Sequence, residues 1–457
     1  MERPEVLSAL QSTLGRFCDL DGLLSICATL PRTDSITAIE QRINQVIGLK
    51  HALALLPNVI TSLSVDIESS MLKQILDVLK DDVYPLMLEQ VQTVISEEAR
   101  VAKGAAAMRL QRCFAIKSGI NGVLDVARRT YCDLVGDIEA MVNELSETHN
   151  LPLKVGFSGQ RGYHVQLNRA ALTAVKGKFF KISQLPREFL NPTLGKAIVT
   201  FTTEALVKAD QQGQNALREI TLMTNVIIQE LICQLRTRIG SLFKLSETLS
   251  ILDLLVSFAD VSSMPNYVRP RFGPFMAIKE ARHPVLDKID RPGDVVANDI
   301  MAAPLEANFL VLVGHNMAGK STYLKQVVLL QIMAQSGCFV PAQKDGVPVF
   351  RVADSIFSRV GMSDSIECNA STFAMEMKET AYILSNLGQS SLVVIDELGR
   401  GTSADEGSAL CWAVCERFAK TNAFTFLATH FELMTKMESL VIGVIKYIYF
   451  NLMGKNT

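Results

Sequence analysis

The stretch GHNMAGKST, residues 314–322, decides the fold of the last third of this 457-residue chain. It fits the pattern GxxxxGK[ST], in which two glycines bracket four residues and a lysine and a hydroxyl residue follow. The apolar run Asn308–Val313 before it predicts a strand, and the residues after it predict a helix. Glycines in such a loop let backbone N–H groups turn towards phosphate oxygens, and the helix N-terminus adds its positive end. The stretch therefore predicts a phosphate-binding loop, with a chance glycine turn before a helix as the alternative.

Every residue of this loop is a predicted contact for a nucleoside triphosphate. Lys320 is expected to reach the β- and γ-phosphates, and Ser321 is expected to offer its hydroxyl to Mg²⁺. The predicted nucleotide-binding residues are Gly314, His315, Asn316, Met317, Ala318, Gly319, Lys320, Ser321 and Thr322.

Two further apolar runs end in polar residues. LVVIDE, residues 392–397, predicts a buried strand with Asp396 at its carboxyl end, where ligands bind in α/β sheets. Asp396 is expected to support Mg²⁺, and Glu397 is a candidate general base for the attacking water, with a helix N-cap as the alternative. FLATH, residues 426–430, ends in His430, which is predicted to contact the γ-phosphate, with a purely structural histidine as the alternative.

The pattern of apolar residues along the chain predicts the secondary structure around these motifs. From about Pro265 onward, short β-branched runs alternate with helical patterns, which predicts a parallel sheet covered by helices. Residues 1 to about 150 have helical spacing instead, with Ile39, Ile43, Val46 and Ile47 on one face. Within them, Met108–Ser146 contains no proline and fits either one long helix or two.

A basic island follows at Leu151. LPLKVGFSGQRGYHVQLNR, residues 151–169, alternates around a turn signal and predicts a hairpin, and KGKFFKISQL, residues 176–185, is a candidate strand. Eight basic residues and one acidic residue between Leu151 and Lys196 give a charge of about +7, which favours a surface for a polyanion over a solvated loop. Helical patterns return over Thr203–Lys244 and Ser246–Asp260, so the island resembles a tip carried on a helical stalk.

Length, net charge and cysteine content limit the remaining classes of protein. The length suggests about three domains, and a net charge of −2 excludes a global attraction to nucleic acid. The sequence has no run of 18 apolar residues and no secretory signal at its start, so a membrane partner is not predicted. Nine cysteines without a CxxC pair favour reduced thiols over a zinc site.

Several motifs together resemble the ATPase domain of MutS proteins, most of all that of the eukaryotic meiotic members. They are GHNMAGKSTYLKQ (314–326), STFAMEMKETAYIL (371–384), DELGRGTSADEG (396–407) and ATHFEL (428–433), preceded by LSILDLLVSFADVS (249–262) and ARHPVL (281–286). The resemblance covers roughly residues 1–440. It implies an α-helical core and lever region with a small β clamp insert, followed by an α/β P-loop ATPase domain of the ABC type.

The resemblance also implies domain boundaries and departures from the family. The implied segments are residues 1–150, helical core and outgoing lever; 151–200, basic β-rich clamp; 201–262, returning lever helices; 263–440, ATPase domain; and 441–457, an atypical tail. His315 replaces the usual proline after the first loop glycine. VIGVIKYIYFNLMGKNT, residues 441–457, does not resemble the family, and mismatch-reading and connector domains have no counterpart, so we expect truncation at both ends.

The activity implied by the resemblance is that of a DNA-dependent ATPase using ATP and Mg²⁺. Two subunits would enclose ATP, with Ser371 at a helix N-terminus facing the γ-phosphate of the partner's nucleotide. The expected partners are double-stranded or branched DNA, such as a Holliday junction in meiotic recombination, and a second MutS-family subunit, MutS homologue five. The expected location is the nucleus, on chromosomes. The predicted DNA-binding residues are Lys154, Arg161, Arg169, Lys176, Lys178 and Lys181.

Two other functions remain open from the sequence. A chain that lacks part of the ATPase fold is expected to bind a partner or DNA without hydrolysing ATP. A recognition subunit of DNA mismatch repair fits the same motifs. Chromosome ATPases with long coiled coils are disfavoured, because sustained heptads are not found.

Overall fold

The computed structural model describes most of the chain and divides it into two compact units. The described residues are 4–28, 35–64, 67–158, 161–168, 186, 188–195, 198–289, 295–304, 306–360, 372–440 and 445–450. One unit, the helical unit, is Ser8–Asp253. The other, the sheet unit, is Leu254–Thr457 together with Met1–Leu7.

Long helices dominate the described residues up to Ser262. They are α1 Pro4–Leu14, α2 Leu20–Ala28, α3 Ile36–Leu63, α4 Ser70–Leu79, α5 Val83–Val94, α6 Ala105–Phe114, α7 Gly122–His149, α8 Glu204–Arg236 and α9 Ile239–Ser262. The predicted buried face of α3 is confirmed, because Ile39, Ile43, Val46 and Ile47 are at most 2% exposed. By length and composition α3 alone among the described helices is apolar enough to cross a bilayer, but more than half of its apolar window is buried inside the protein. Such burial is typical of the core helix of a folded domain.

The structure settles one choice that the sequence leaves open, and it places one helix end earlier than predicted. Met108–Ser146 forms two helices, since α6 ends at Phe114 and α7 begins after Asn121, whose side chain accepts hydrogen bonds from Val123 N and Leu124 N. The helix expected to run to about Lys244 ends at Arg236 instead. There the Thr237 hydroxyl donates to the Gln234 carbonyl, which satisfies an acceptor freed at the helix end.

A four-stranded antiparallel sheet interrupts the helices of the helical unit. Its strands are β1 Leu153–Ser158, β2 Gly162–Asn168, β3 Leu190–Leu194 and β4 Ile198–Thr202, in the order β1-β2-β4-β3. The predicted hairpin is confirmed, with Val155 opposite Val165. The candidate strand at residues 176–185 lies outside the described residues.

The sheet unit contains the predicted parallel sheet. Its strands are β12 Ile356–Arg359, β13 Leu392–Asp396, β14 Phe424–Ala428, β9 Phe309–Gly314 and β15 Ile445–Phe450, in that spatial order and all parallel. Alternate residues of β9 enter opposite cores: Leu310 and Leu312 pack on one face, and Phe309 and Val311 pack on the other. Burial on both faces explains why these strands read as continuous apolar runs.

Short elements complete the sheet unit. The strands are β5 Tyr267–Val268, β6 Arg271–Phe272, β7 Met276–Ala281, β8 Asn298–Ala302, β10 Val340–Pro341 and β11 Val349–Phe350, which form a β10-β5 pair and a β6-β11-β7-β8 sheet. The helices are α10 Leu286–Ile289, α11 Lys320–Gln335, α12 Thr372–Ser385, α13 Ala404–Ala419 and α14 Met437–Leu440, with a 3₁₀ turn at Glu432–Lys436.

The predicted tail contributes to the parallel sheet. Strand β15 lies beyond the boundary expected at residue 440 and pairs with β9 from Ile445↔Phe309 to Phe450↔Gly314. Ile445 is 1% exposed, whereas Tyr449, four residues further along the same face, is 61% exposed, so burial falls towards the end of the strand. Strand pairing needs β-prone residues and an open edge, and the segment Ile445–Phe450 supplies these residues at the edge of β9.

Candidate nucleotide-binding site

The GHNMAGKST loop connects strand β9 to helix α11. Gly314 ends the strand, and Gly319 precedes the helix with a φ of +94°. A Cβ at Gly319 would meet no atom within 4 Å, so a glycine is needed there for its left-handed backbone rather than for space. Met317 also has a positive φ, +64°, and is 97% exposed. The predicted strand–loop–helix context is therefore present, and most of the loop is exposed to solvent.

The lysine of the loop is folded towards its own backbone. Lys320 is 6% exposed, and its Nζ donates hydrogen bonds to the carbonyl oxygens of Gly314 at 2.7 Å and His315 at 3.0 Å. Burial lowers the pKa of Lys320, and the charges of Glu397 and Asp396 act in the opposite direction. The ammonium group is thus held at the loop, within the field of both carboxylates.

The strand register brings the three sequence motifs to one edge of the sheet. Asp396 is paired with Ala428, and Ala428 is paired with Leu312, so the carboxyl ends of β13, β14 and β9 lie in one row. Thr429 N donates to Leu312 O at 3.1 Å, and Glu397 N donates to Ala428 O at 2.9 Å. The ends of parallel strands are where α/β sheets bind ligands.

Glu397 has an unusual backbone and two side-chain partners. Its φ is +53°, in the left-handed region that non-glycine residues seldom adopt. Its Oε1 lies 2.8 Å from His430 Nε2, and its Oε2 is paired with the Arg400 guanidinium. Burial alone would raise the pKa of Glu397, but the hydrogen bonds from His430 and Arg400 and their charges lower it overall. The group is therefore a carboxylate at neutral pH, able to accept a proton.

Oxygen atoms beside the loop fit the Mg²⁺ ion that the sequence predicts there. The Oδ1 atom of Asp396 is buried and has no hydrogen-bond partner among the described residues. An orphaned carboxylate oxygen is costly unless it meets a cation or water. Ser321, in the first turn of α11, is exposed and free to offer its hydroxyl. Oxygen donors of these types suit Mg²⁺, which takes few protein ligands when it binds with phosphates.

Other predicted site residues are less well placed or lie outside the described residues. Lys154 on β1 is exposed, whereas Arg161 donates to the Thr200 and Thr193 hydroxyls and is held along the small sheet. Outside the described residues lie Arg169, Lys176, Lys178, Lys181 and Ser371. Helix α12 begins at Thr372, next to Ser371 in sequence, so the predicted helix is present. The contact of Ser371 with the partner's nucleotide stays a prediction.

Sequence reasoning missed three charged residues around the site. Arg400 contacts Glu397, and Arg359 and Glu376 form a buried ion pair 2.8 Å apart. The available signal for Glu376 is a charge on an apolar helix, since α12 begins TFAMEM. Arg359 ends the apolar strand β12 just as Asp396 ends β13.

Two family models match this chain. The model of MutS domain V matches residues 310–452, which include the loop, Asp396–Glu397, His430 and β15. The model of MutS family domain IV matches residues 119–219, which include α7 and the four-stranded sheet. The chain belongs to the MutS family. The MutS domain V match continues past residue 440, so the family pattern extends into the segment that the sequence analysis sets apart.

Relatives from animals and bacteria are similar along almost all of this MutS chain. MutS protein homolog 4 of Homo sapiens is 41% identical over 97% of this chain and 46% of the relative. MutS protein homolog him-14 of Caenorhabditis elegans is 32% identical over 94% of this chain and 50% of the relative. A DNA mismatch repair protein MutS of Caldicellulosiruptor bescii is 32% identical over 98% of this chain and 50% of the relative. The chain spans about half the length of the curated relatives it matches.

Proposed function

We propose that this chain is an ATP-dependent DNA clamp subunit that hydrolyses ATP at the edge formed by β9, β13 and β14. The observation that carries the proposal is the register that brings Lys320, Asp396, Glu397 and His430 to one edge of a parallel sheet. A phosphate loop alone binds nucleotides. A phosphate loop beside an ionised, hydrogen-bonded carboxylate can also activate water.

Each residue has a separate role in the proposed reaction. The N–H groups of the loop and the Lys320 ammonium bind the phosphates, and Ser321 and Asp396 hold Mg²⁺. When bound, Mg²⁺ supplies positive charge that offsets the charge developing on the phosphate oxygens. Glu397 accepts the proton of the water that attacks the γ-phosphorus. His430, which is hydrogen-bonded to Glu397, would hold that carboxylate in place and contact the γ-phosphate.

DNA binding is proposed for the small basic sheet. Lys154 is exposed there, and the +7 charge of the island between Leu151 and Lys196 suits phosphate neutralisation with release of counterions. Residues 1–150 and 201–262 would act as levers between this clamp and the ATPase domain at residues 263–440. The tail, residues 441–457, would complete the sheet.

The biological setting follows the likeness to MutS protein homolog 4. We place the chain on meiotic chromosomes in the nucleus, as one subunit of a heterodimer with a second MutS-family subunit, MutS homologue five. Ser371 would face the γ-phosphate of that partner's ATP. The DNA would be a branched recombination intermediate such as a Holliday junction, and clamping would promote crossing over.

Mismatch recognition is the second candidate, because bacterial relatives of similar identity are named DNA mismatch repair proteins. Competition binding separates the two candidates. Tighter binding to a four-way junction than to a mismatched duplex supports the recombination role, and the reverse preference supports mismatch recognition.

The test of hydrolysis compares Glu397→Gln with the unchanged chain, with and without DNA and partner subunit. Glutamine keeps the shape of the side chain and cannot accept the proton, so we expect phosphate release to fall by about 100-fold or more while nucleotide affinity changes little. Glu416→Gln is the matched control, because Glu416 pairs with Lys420 on α13 within the same unit. Equal phosphate release by the unchanged chain and Glu397→Gln would leave a chain that binds DNA or a partner without hydrolysis.

A further inference from the structure

A buried ion pair lies behind the proposed catalytic edge. Arg359 at the end of β12 and Glu376 on α12 pair at 2.8 Å, with side chains only 7% and 1% exposed. Removing two charges from water is costly, and such a pair is a weak contributor to stability compared with apolar residues of the same volume. The position of the pair therefore calls for an explanation other than stability.

Both members of the pair also bind the backbone that carries Glu397. Arg359 Nη1 donates to the carbonyl oxygen of Asp396 at 3.2 Å. Glu376 Oε2 accepts from the N–H of Gly399, also at 3.2 Å. These two backbone groups stand immediately before and two residues after Glu397. The ion pair thus closes a ring of contacts around the proposed general base.

The segment between these two bonds is in an unfavourable conformation. Glu397 has a φ of +53° and Gly399 a φ of +86°. A Cβ at Gly399 would come within 2.7 Å of the Gly407 carbonyl oxygen, so the segment also passes close to the start of α13. A left-handed non-glycine residue persists only when surrounding contacts determine it. The bonds from Arg359 and Glu376, together with the bond from Glu397 N to Ala428 O at 2.9 Å, are such contacts.

We propose that Arg359 and Glu376 are positioning residues that fix the backbone from Asp396 to Gly399 and so aim the Glu397 carboxylate at the nucleotide. We name the pair the Arg359–Glu376 brace. The proposal rests on the proposed hydrolysis of ATP and adds two residues that act through Glu397 rather than on the nucleotide. Arginine suits this role because its planar fork reaches a carboxylate and a carbonyl at once, which a lysine ammonium does not do with the same geometry.

Glu379 offers a matched control on the same helix. Its Oε2 lies 3.3 Å from Arg359 Nε, but its side chain is 54% exposed. The backbone bonds at Asp396 and Gly399 come from Arg359 and Glu376. Glu379→Gln therefore removes a negative charge beside the same guanidinium while the brace remains.

The first measurement is hydrogen exchange of the full chain, which requires no turnover. In Glu376→Gln the amide can face Arg359 or Gly399 but cannot serve both as the carboxylate does. We expect exchange in the peptide spanning residues 396–400 to accelerate by about tenfold or more, while α11 exchanges as before. Glu379→Gln should match the unchanged chain. Unchanged exchange at 396–400 in Glu376→Gln would overturn the brace.

The second measurement is steady-state ATP hydrolysis together with nucleotide binding. We expect Glu376→Gln and Arg359→Lys to lower kcat by about tenfold or more with little change in nucleotide affinity, because only the base is misplaced. Glu379→Gln should keep both kcat and affinity. A fall in kcat that merely follows the fraction of unfolded protein, or an equal loss of nucleotide affinity, would contradict the proposal.

A double variant guards against simple loss of folding. Arg359→Met with Glu376→Leu removes both charges together, so neither is left unpaired in the core. We expect this variant to fold and bind nucleotide yet keep the fast exchange at residues 396–400. Slow exchange and full turnover in the double variant would mean that the pair only keeps each buried charge neutralised. That result would overturn the brace. If the unchanged chain fails to bind magnesium ATP, the proposed function falls, whereas the exchange measurement still decides the brace.

Discussion

His430 Nε2 lies 2.8 Å from Glu397 Oε1, although the two residues are 33 positions apart and follow different strands. The contact exists because β13 and β14 are parallel neighbours whose carboxyl ends are in register at Asp396 and Ala428. With Glu397 ionised, the imidazole donates from Nε2. The two predicted site residues therefore form one hydrogen-bonded unit.

Replacing His430 is expected to change the pH dependence of the chain. A carboxyl group whose folded pKa is lowered stabilises the fold above its unfolded pKa, near 4.5 for Glu397, and this stabilisation is lost as pH falls through the folded pKa. His430→Phe removes one bond that lowers this pKa. The stability that Glu397 loses on acidification should then be smaller, whereas the acid limb of hydrolysis should begin at higher pH. Urea unfolding and kcat profiles from about pH 3 to 6 would measure both effects.

The control for this prediction is His51→Phe, which replaces an exposed histidine on α3. It should leave both profiles unchanged. Coincident profiles for His430→Phe and the unchanged chain would mean that the 2.8 Å contact does not influence the ionisation of Glu397.

Lys320→Ala is expected to abolish tight nucleotide binding. The ammonium group is the buried positive charge of the loop, held by the Gly314 and His315 carbonyls, and its removal leaves phosphates with backbone N–H donors alone. Titration with a fluorescent ATP analogue should show an affinity loss of about 100-fold or more, since charged hydrogen bonds contribute most to such sites. Lys325→Ala, an exposed lysine on the same helix, should bind normally. Retained tight binding by Lys320→Ala would contradict the phosphate-loop assignment.

Shortening the side chain of Ile445 is expected to destabilise the sheet unit, because this residue of β15 is part of its core. Its side chain is 1% exposed and lies in the core on one face of the parallel sheet. Ile445→Ala should lower the free energy of unfolding by about 2–5 kcal/mol, as typical for a large-to-small change in a core. Tyr449→Ala, at a 61% exposed position of the same strand, should change it by about 0.5 kcal/mol or less. Equal, small effects in chemical denaturation would show that β15 does not pair with β9 in solution.

Reversing charge on the basic island should weaken DNA binding and its dependence on salt. Lys176→Glu, Lys178→Glu and Lys181→Glu remove lysines that the sequence predicts to bind phosphates. The slope of log affinity against log salt should become shallower by about 0.9 for each phosphate of duplex DNA that the variant no longer neutralises. Titrations at several salt concentrations measure this slope directly.

A triple variant of equal charge change provides the comparison. Lys73→Glu, Lys80→Glu and Lys103→Glu alter exposed lysines on the helical unit outside the island. Net charge shifts by the same amount in both variants, so a general field effect would affect them alike. An identical salt slope in the two triple variants would remove the basic island from the DNA-binding surface.

Local sequence is sufficient to predict those elements whose sequence signal spans only a few residues. The GxxxxGK[ST] pattern predicts the loop after β9, and apolar runs ending in Asp396 and His430 predict neighbouring strand ends. Glycine at 319 is required by the backbone of that loop, which is a local property of φ. The hairpin at Leu153–Asn168 is also predictable, because alternation and a turn signal act over short distances.

Only the tertiary structure decided which distant charges meet and how strands are ordered. Arg359, Glu376 and Gly399 come from three different parts of the sheet unit, and no local pattern states that one carboxylate will serve both a guanidinium and a backbone N–H. The sequence analysis sets the segment after residue 440 apart, but Ile445–Phe450 pairs with β9, because a strand edge binds backbone hydrogen-bonding groups. The sequence by itself determined the glycine loop between β9 and α11 and the alternation of strands and helices. The packing of the sheet decided how Glu397 is held, since that depends on contacts between residues far apart along the chain.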